Sequence, residues 1–340
     1  MPPQGAGLNS EKDILCIGET MVLLTSSTGE PLETSATLDV HVAGAESNVA
    51  AGMSHLGQSV SWFGRVGDDS LGQRVRGALS HHGIDISMSE DDPHRHTGLY
   101  LKEVGPSGTT VRYYRQGSAA SAMAPGHLPA LKLHARRLCH LSGITAALSA
   151  SCDKMMGELV ENRHDSRALI SFDVNYRPGL WRPERAAPRL FELAAASDIV
   201  IVGRDEAQLL WDTADADSIR RLFPEVPQLI VKDNDLGATA YVGRECAFVP
   251  ALQVDVVEAV GAGDAFAAGY LTGLLNQAPV ESRLRLGHLM AGYTLQHVND
   301  LPPWPDRDLL FAVSTAGEQH WEEIRSTPLS DDLLRPRADR

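Results

Sequence analysis

Late in the chain, Gly261-Ala262-Gly263-Asp264 places one carboxylate at the end of a glycine-rich turn. Phe266, Tyr270 and Leu274 follow at a spacing of four, which predicts a helix starting from that turn. Glycine lets the backbone approach a ligand with no Cβ in the way. A helix N-terminus adds unpaired N–H groups and a partial positive charge, a ready cradle for phosphate. Asp264 is then either the helix's own cap or a base held beside an anion site, and this stretch alone leaves both open. In the second case Asp264 takes a proton from an alcohol while the amides of Gly261, Ala262 and Gly263 hold a phosphoryl group. No Gly-Lys-Ser/Thr follows, so this is not a Walker loop, and no Gly-x-Gly-x-x-Gly follows the first strand, which disfavours a dehydrogenase.

Such a turn needs a scaffold, and the chain shows one. "ILCIG" (14–18), "SVSWFGRVG" (59–67), "RLCHLSG" (137–143), "ALISFDVN" (168–175), "DIVIVG" (198–203) and "QLIVKD" (228–233) predict strands. "ESNVAAGMSHLG" (46–57), "SLGQRVRGALSHHG" (70–83), "ASCDKMMGELVENR" (150–163), "EAQLLW" and "SIRRLF" predict helices between them. The alternation argues for an α/β fold with a doubly wound, mostly parallel sheet. Residues 20–43 and 97–117 break the rhythm with strand-like runs and no helix, and "GPSG" in the second marks a hairpin. Together they predict a small antiparallel sheet projecting from the main domain, as a lid or a dimer clasp. Residues 1–11 form a small, polar lead-in, the main domain runs over 12–312, and 313–340 is a charged tail expected to be peripheral.

The 340 residues carry a formal net charge of −14, and there is no Lys/Arg run, which excludes nucleic acid and anionic membranes as partners. An anionic substrate then requires arginines placed locally. No apolar run reaches the roughly 20 residues that cross a bilayer. Cys16, Cys139, Cys152 and Cys246 are scattered, with no signal peptide ahead of them, which predicts free thiols and a cytoplasmic protein. The histidines of "SHHG" and "HRH" lack partners at zinc spacing.

"VGAGDAFAAG" late in the chain and "AGAESNVA" early together resemble the ribokinase-type, or PfkB, sugar kinases. "YYRQGSAAS" (113–121), "HLSGITAALS" (140–149) and "DVNYRPGLW" (173–181) resemble the 2-keto-3-deoxygluconate kinases within that family, and the likeness runs from about residue 14 to 300. It implies a ribokinase-like fold, ATP with Mg²⁺ as cofactors, a monovalent cation left open, and a homo-oligomer, as a dimer through the lid or higher. Asp264 matches the family's base, and Gly261, Ala262 and Gly263 its anion hole. On the substrate side the resemblance implies Tyr100, Tyr113, Arg115 and Arg177, with Gly44 and Asp300 on hydroxyls. One Tyr-Arg pair reads as an alternating strand with an exposed arginine; two in such surroundings suit a substrate carboxylate, which arginine binds bidentately.

On the nucleotide side the resemblance implies Asn175, Lys232, Gly237, Glu206 and His288. The chain departs from the family pattern at several places. Asn234 stands for a glycine, as a residue that tolerates the left-handed region. Gly203 replaces an Asn, His288 stands where an Asn is frequent, Glu258 replaces an Asp, and Ala43-Gly44 replaces a glycine pair. Asp68 in "RVGDDSLG" is placed to cap the next helix. Two alternatives stay open: another ribokinase-type sugar kinase, and a non-catalytic member that binds sugar acid or nucleotide.

Overall fold

The computed structural model describes residues 13–105, 108–131, 137–162, 168–330 and Leu334; the lead-in expected over 1–11 lies outside them, as do two residues of the "GPSG" turn. Five apolar runs form buried parallel strands: β1 (Ile14–Ile17), then β4 (Val60–Phe63), β9 (Leu138–Ser142), β10 (Leu169–Asp173) and β11 (Ile199–Gly203), numbered in chain order among those given below. Parallel strands covered on both faces read as unbroken apolar stretches, and β1, β4, β9 and β11 are buried at every position. β12 (Gln228–Asp233) continues the parallel set, and β13 (Gly237–Val242) and β14 (Glu245–Pro250) close the edge antiparallel. The order is β14-β13-β12-β11-β10-β9-β1-β4, so the winding reverses beside β1. A doubly wound sheet binds its ligand outside the carboxyl ends of the strands at such a reversal.

Helices cover both faces. On one lie α1 (Ala45–His55) and α2 (Ser70–His81), with α9 (Ala262–Leu275), α10 (Val280–Leu295), α11 (Arg307–Ser314) and α12 (Glu318–Arg325). Between α2 and α9 in the chain come α3 (Leu128–Leu131), α4 (Gly143–Ala147), α5 (Ala150–Glu161), α6 (Pro183–Ala195), α7 (Arg204–Trp211) and α8 (Ala216–Leu222), which pack mainly on the other face.

The two segments without helices form one sheet, ordered β3-β2-β7-β8, from β2 (Met21–Ser26), β3 (Leu38–Ala43), β7 (Leu99–Gly105) and β8 (Gly108–Tyr114). β2–β3 and β7–β8 are antiparallel pairs joined along a parallel β2–β7 seam. The run 59–67 is not one strand: the chain leaves the main sheet at Gly64, and β5 (Arg65–Gly67) pairs instead with β6 (Glu90–Asp92). The cap of α2 is Asp69 rather than Asp68; its carboxylate accepts from the Gly72 amide at 2.7 Å and the Thr97 amide at 2.9 Å. Nor are the described residues of the tail peripheral. Trp321 and Ile324 are buried in the core with α9 and α10, because α12 carries an apolar stripe on one side of a charged helix, and Leu329 beyond it joins them, its amide donating to Gln253 O at 3.1 Å.

Candidate active site

Helix α9 is apolar nearly all round and buried, so its N-terminus is a fixed point of the molecule. Gly261 caps it in the left-handed region at φ 86°, and a Cβ there would lie 2.9 Å from Cβ of Asp300. Only glycine meets both conditions. Ala265 is the first amide with a helical partner, Gly261 O at 2.9 Å, and Ala262 reaches Ala259 O at 3.4 Å. Among the described residues the Gly263 and Asp264 amides have no acceptor, as expected of a first helical turn.

Asp264 lies buried in that first turn. Asn48 of α1 holds it, with Nδ2 donating to Asp264 Oδ2 at 2.9 Å and to Asp300 Oδ2 at 3.3 Å. The Gly44 amide, at the cap of α1, donates to Asn48 Oδ1 at 3.4 Å, which fixes the side-chain amide's direction. Burial pushes the Asp264 carboxyl up to about 7; the Asn48 donor and the Arg177 charge oppose this, while Asp173 and Asp300 add to it. Burial likewise raises Asp300, opposed mainly by Lys102, and its Oδ1 is buried with no hydrogen-bond partner among the described residues. Tyr100 is buried within the field of Asp300 and Asp264, which with burial raises its phenol. Base, Gly44, Asp300 and Tyr100 thus converge.

A second cluster collects at the carboxyl ends of β10, β11 and β12. Lys232 Nζ donates to Asp173 Oδ2 at 3.1 Å, and a Cβ on Gly263 would lie 3.2 Å from that same ammonium. Burial alone would lower the lysine, but Asp173 and Glu206 outweigh it and raise it. Glu206, in the first turn of α7, accepts from the Gly203 amide at 2.8 Å and the Tyr176 amide at 3.0 Å. Burial raises its carboxyl, against the pull of Lys232. Asn175 takes the left-handed region at φ 39°, and its Oδ1 is buried without a partner among the described residues. Arg177 is exposed, and its charge acts on both Asp264 and Glu206.

Other nucleotide-side residues have structural explanations. Gly237, at φ 142°, faces Val249 O, which a Cβ would approach to 2.4 Å, so β14 itself requires the glycine. Asn234 does hold a left-handed position, at φ 45°. His288 Nε2 donates to Val249 O at 3.0 Å and its ring stands edge-on to Phe266, while burial lowers it to about 4. Tyr176 is buried, its hydroxyl donating to Trp181 O at 3.1 Å, so it serves the loop after β10 rather than a ligand.

The projecting sheet supplies the remaining residues. Arg115 follows β8 and is buried, its Nε donating to Glu19 Oε2 at 2.7 Å, while Nη2 is in ion-pair contact with the same oxygen but makes no hydrogen bond among the described residues. Ser118 Oγ donates to the other oxygen, Glu19 Oε1, at 2.5 Å. Glu19 thus holds one edge of the guanidinium, and Nη1 has no acceptor among the described residues. The Tyr113 ring lies under Arg115 at 5.4 Å and beside Tyr100 at 5.5 Å, which links the arginine to the base cluster. Sequence patterns pass over Asn48, Asp173, Glu19 and Lys102. Asn48 and Asp173 each lie inside a quoted motif, where a polar residue amid buried apolar neighbours is the available signal.

A family model for the pfkB family carbohydrate kinases matches residues 11–307. The chain is 32% identical to the 2-dehydro-3-deoxygalactonokinase of Haloferax volcanii, over 81% of this chain and 88% of that protein. It is 31% identical to the 2-dehydro-3-deoxygluconokinase of Bacillus subtilis, over 89% and 96% of the two chains. Among solved structures, a PfkB protein from a Polaromonas species superposes with a TM-score of 0.81 at 30% identity, covering 88% of this chain and 99% of that one. With that agreement across nearly the whole chain, and a carboxylate set at a glycine turn with free amides, this protein is a carbohydrate kinase belonging to the pfkB family.

Proposed function

We propose that the protein transfers the γ-phosphoryl group of ATP to the 6-hydroxyl of 2-keto-3-deoxygluconate, giving the 6-phosphate. One observation carries the chemistry: buried Asp264 shares its turn with the unpaired amides of Gly263 and Asp264 and is held by Asn48. Phosphoryl transfer asks mainly for positioning and charge stabilisation. Asp264 accepts the hydroxyl proton, the turn's amides stabilise the transferring group, and Lys232, beside Gly263, adds positive charge on the nucleotide side.

Mg²⁺ keeps several waters and takes one or two carboxylates besides phosphate oxygens, a donor set that Asp173 and Glu206 supply beside Lys232. When bound there, the ion would neutralise phosphate charge.

Two features support a sugar acid as acceptor. Relatives named for 2-dehydro-3-deoxy sugar acids match most of the chain. Arg115, pre-oriented by Glu19, and exposed Arg177 supply guanidinium groups suited to a carboxylate, with Tyr113 and Tyr100 beside them. The half-exposed Tyr113 (46%) and Tyr114 (55%) support a homo-oligomer paired through this sheet. Unpaired thiols, three of the four buried, support a cytoplasmic location.

The test is ADP release with Mg-ATP and a panel of 2-keto-3-deoxygluconate, its galactonate epimer, gluconate, fructose and ribose. Turnover confined to the keto-deoxy acids supports the proposal. Preference for fructose or ribose discards the substrate, and ATP binding with no turnover discards the enzyme activity.

A further inference from the structure

The Lys102 side chain on β7 of the projecting sheet is fully buried, at 1% exposure. It lies two residues beyond Tyr100 on β7, hence on the same face of the strand. Its ammonium meets Glu258 Oε2 at 2.7 Å, across from the sheet into the main domain. Glu258 Oε1 in turn accepts from the Ala259 amide at 2.9 Å and the Val260 amide at 3.2 Å, the two residues that lead into Gly261. The Glu258 amide is anchored to Leu295 O at 3.1 Å, at the end of α10. Burial alone would raise the Glu258 carboxyl, but Lys102 and the two amides bring it below the ordinary glutamate value, so it stays ionised. One carboxylate therefore joins an inner strand of the sheet to the backbone entering the phosphate-binding turn.

We infer that Lys102 and Glu258 are a positioning pair, which sets the Gly261–Gly263 turn in its anion-binding shape from the projecting sheet, so that the seat of the sheet over the substrate and the shape of the anion hole are coupled. This rests on the kinase activity proposed above. The pair acts on the turn through the Ala259 and Val260 amides, and its two charges act in opposite directions on Asp300, so that neutralising both together leaves the turn as the main thing changed. A misplacement of about 1 Å at such donors costs on the order of a hundredfold in rate, whereas a pair that only neutralises buried charge is replaceable by neutral side chains of similar size.

The experiment compares wild type with Lys102→Met and with Lys102→Met/Glu258→Gln, the latter leaving no uncompensated charge if the single variant fails to fold. Three readouts are taken: melting temperature, kcat with 2-keto-3-deoxygluconate, and affinity for Mg-ADP with and without aluminium fluoride, a mimic of the transferring phosphoryl group. The double variant is expected to regain the wild-type melting temperature, keep its Mg-ADP affinity within about threefold, and still lose about 10- to 100-fold in kcat and in the gain from fluoride. Recovery of kcat and of the fluoride gain along with stability overturns the inference, as does a wild-type protein that gains nothing from fluoride. If wild type turns over none of the sugars, the substrate proposal falls, while the fluoride comparison between wild type and double variant still decides the positioning role.

Discussion

The base corner and the sugar-acid corner of this site are built by opposite strategies. Asp264, its glycine turn and its free amides come from one continuous stretch welded to a buried helix, and Asn48 reaches in from a second buried helix. Arg115, Tyr113 and Glu19 come from a projecting sheet and the end of β1, with Tyr113 half exposed. The first corner holds desolvated chemistry on a buried helix end that must not move. The second holds charge that must meet a varying ligand, and its arginine is steadied by a carboxylate rather than by a helix. The cations also differ: Lys232, Lys102 and Arg115 each face a carboxylate of the chain, whereas Arg177 has no ion-pair partner within 4.0 Å among the described residues.

The sharpest way to break this contrast is Asp264→Asn. Loss of a general base costs about 10²- to 10⁴-fold in kcat, with substrate KM values little changed, checked by steady-state rates on the panel above. The same change should stabilise the fold at pH 8. The folded carboxyl sits at about 7 against a reference of 3.8, so its neutral form is favoured by folding; that contribution is full below pH 3.8 and lost as pH rises through 7. Asparagine removes the cost of the buried charge, up to about 4 kcal/mol at about 1.4 kcal/mol per pH unit. Urea unfolding at pH 5 and pH 8 checks it: a variant no more stable than wild type at pH 8 would mean that Asp264 is not desolvated.

Next in size is Arg115→Ala. A hydrogen bond to a charged group contributes about 1.5–3 kcal/mol, so sugar-acid KM should rise about 10- to 100-fold while the KM for ATP stays within twofold. An unchanged sugar-acid KM would remove the projecting sheet from substrate recognition and leave Arg177 as the carboxylate's partner. Glu19→Gln sharpens the point. If Glu19 orients the guanidinium, KM rises by about half as many decades; if Glu19 merely competes with the substrate for it, KM falls.

The two corners also differ in how far they can be read from sequence. The turn and its base are legible because every element is contiguous from Gly261 to Leu274, and glycine, acid and helical spacing report on one another. The parallel sheet is legible for the same reason, as short apolar runs bounded by glycine. The partners are not: Asn48 and Asp264 are 216 residues apart, and Glu19 and Arg115 are 96 apart. Long-range pairing brings them together: the packing of α1 against α9 for the first pair and the parallel β2–β7 seam of the projecting sheet for the second, and no local pattern encodes either. In the tail, Trp321 and Ile324 recur at i, i+3 within a charged helix, a stripe that the surrounding Glu and Arg residues mask. At Gly64 an apolar run continues through a change of sheet, which composition cannot register.

The smallest predicted effect, a shift of a pH limb, bears most directly on how the base corner works. With Asp264 as base and its carboxyl at about 7, kcat/KM for the sugar acid should fall on the acid side of neutrality, since that profile reports the free enzyme. Asn48 and Asp300 push that limb in opposite directions. The Asn48 donor favours the ionised form, so Asn48→Ala moves the limb to higher pH; the Asp300 charge disfavours it, so Asp300→Asn moves the limb to lower pH. Both variants also disturb binding, because Asp300 is a proposed hydroxyl contact and Asn48 bridges the two carboxylates. Their KM values should therefore rise together while their limbs part. Limbs that moved the same way in both variants would show that the two aspartates titrate as one coupled unit, with Asn48 reporting on the pair rather than on Asp264.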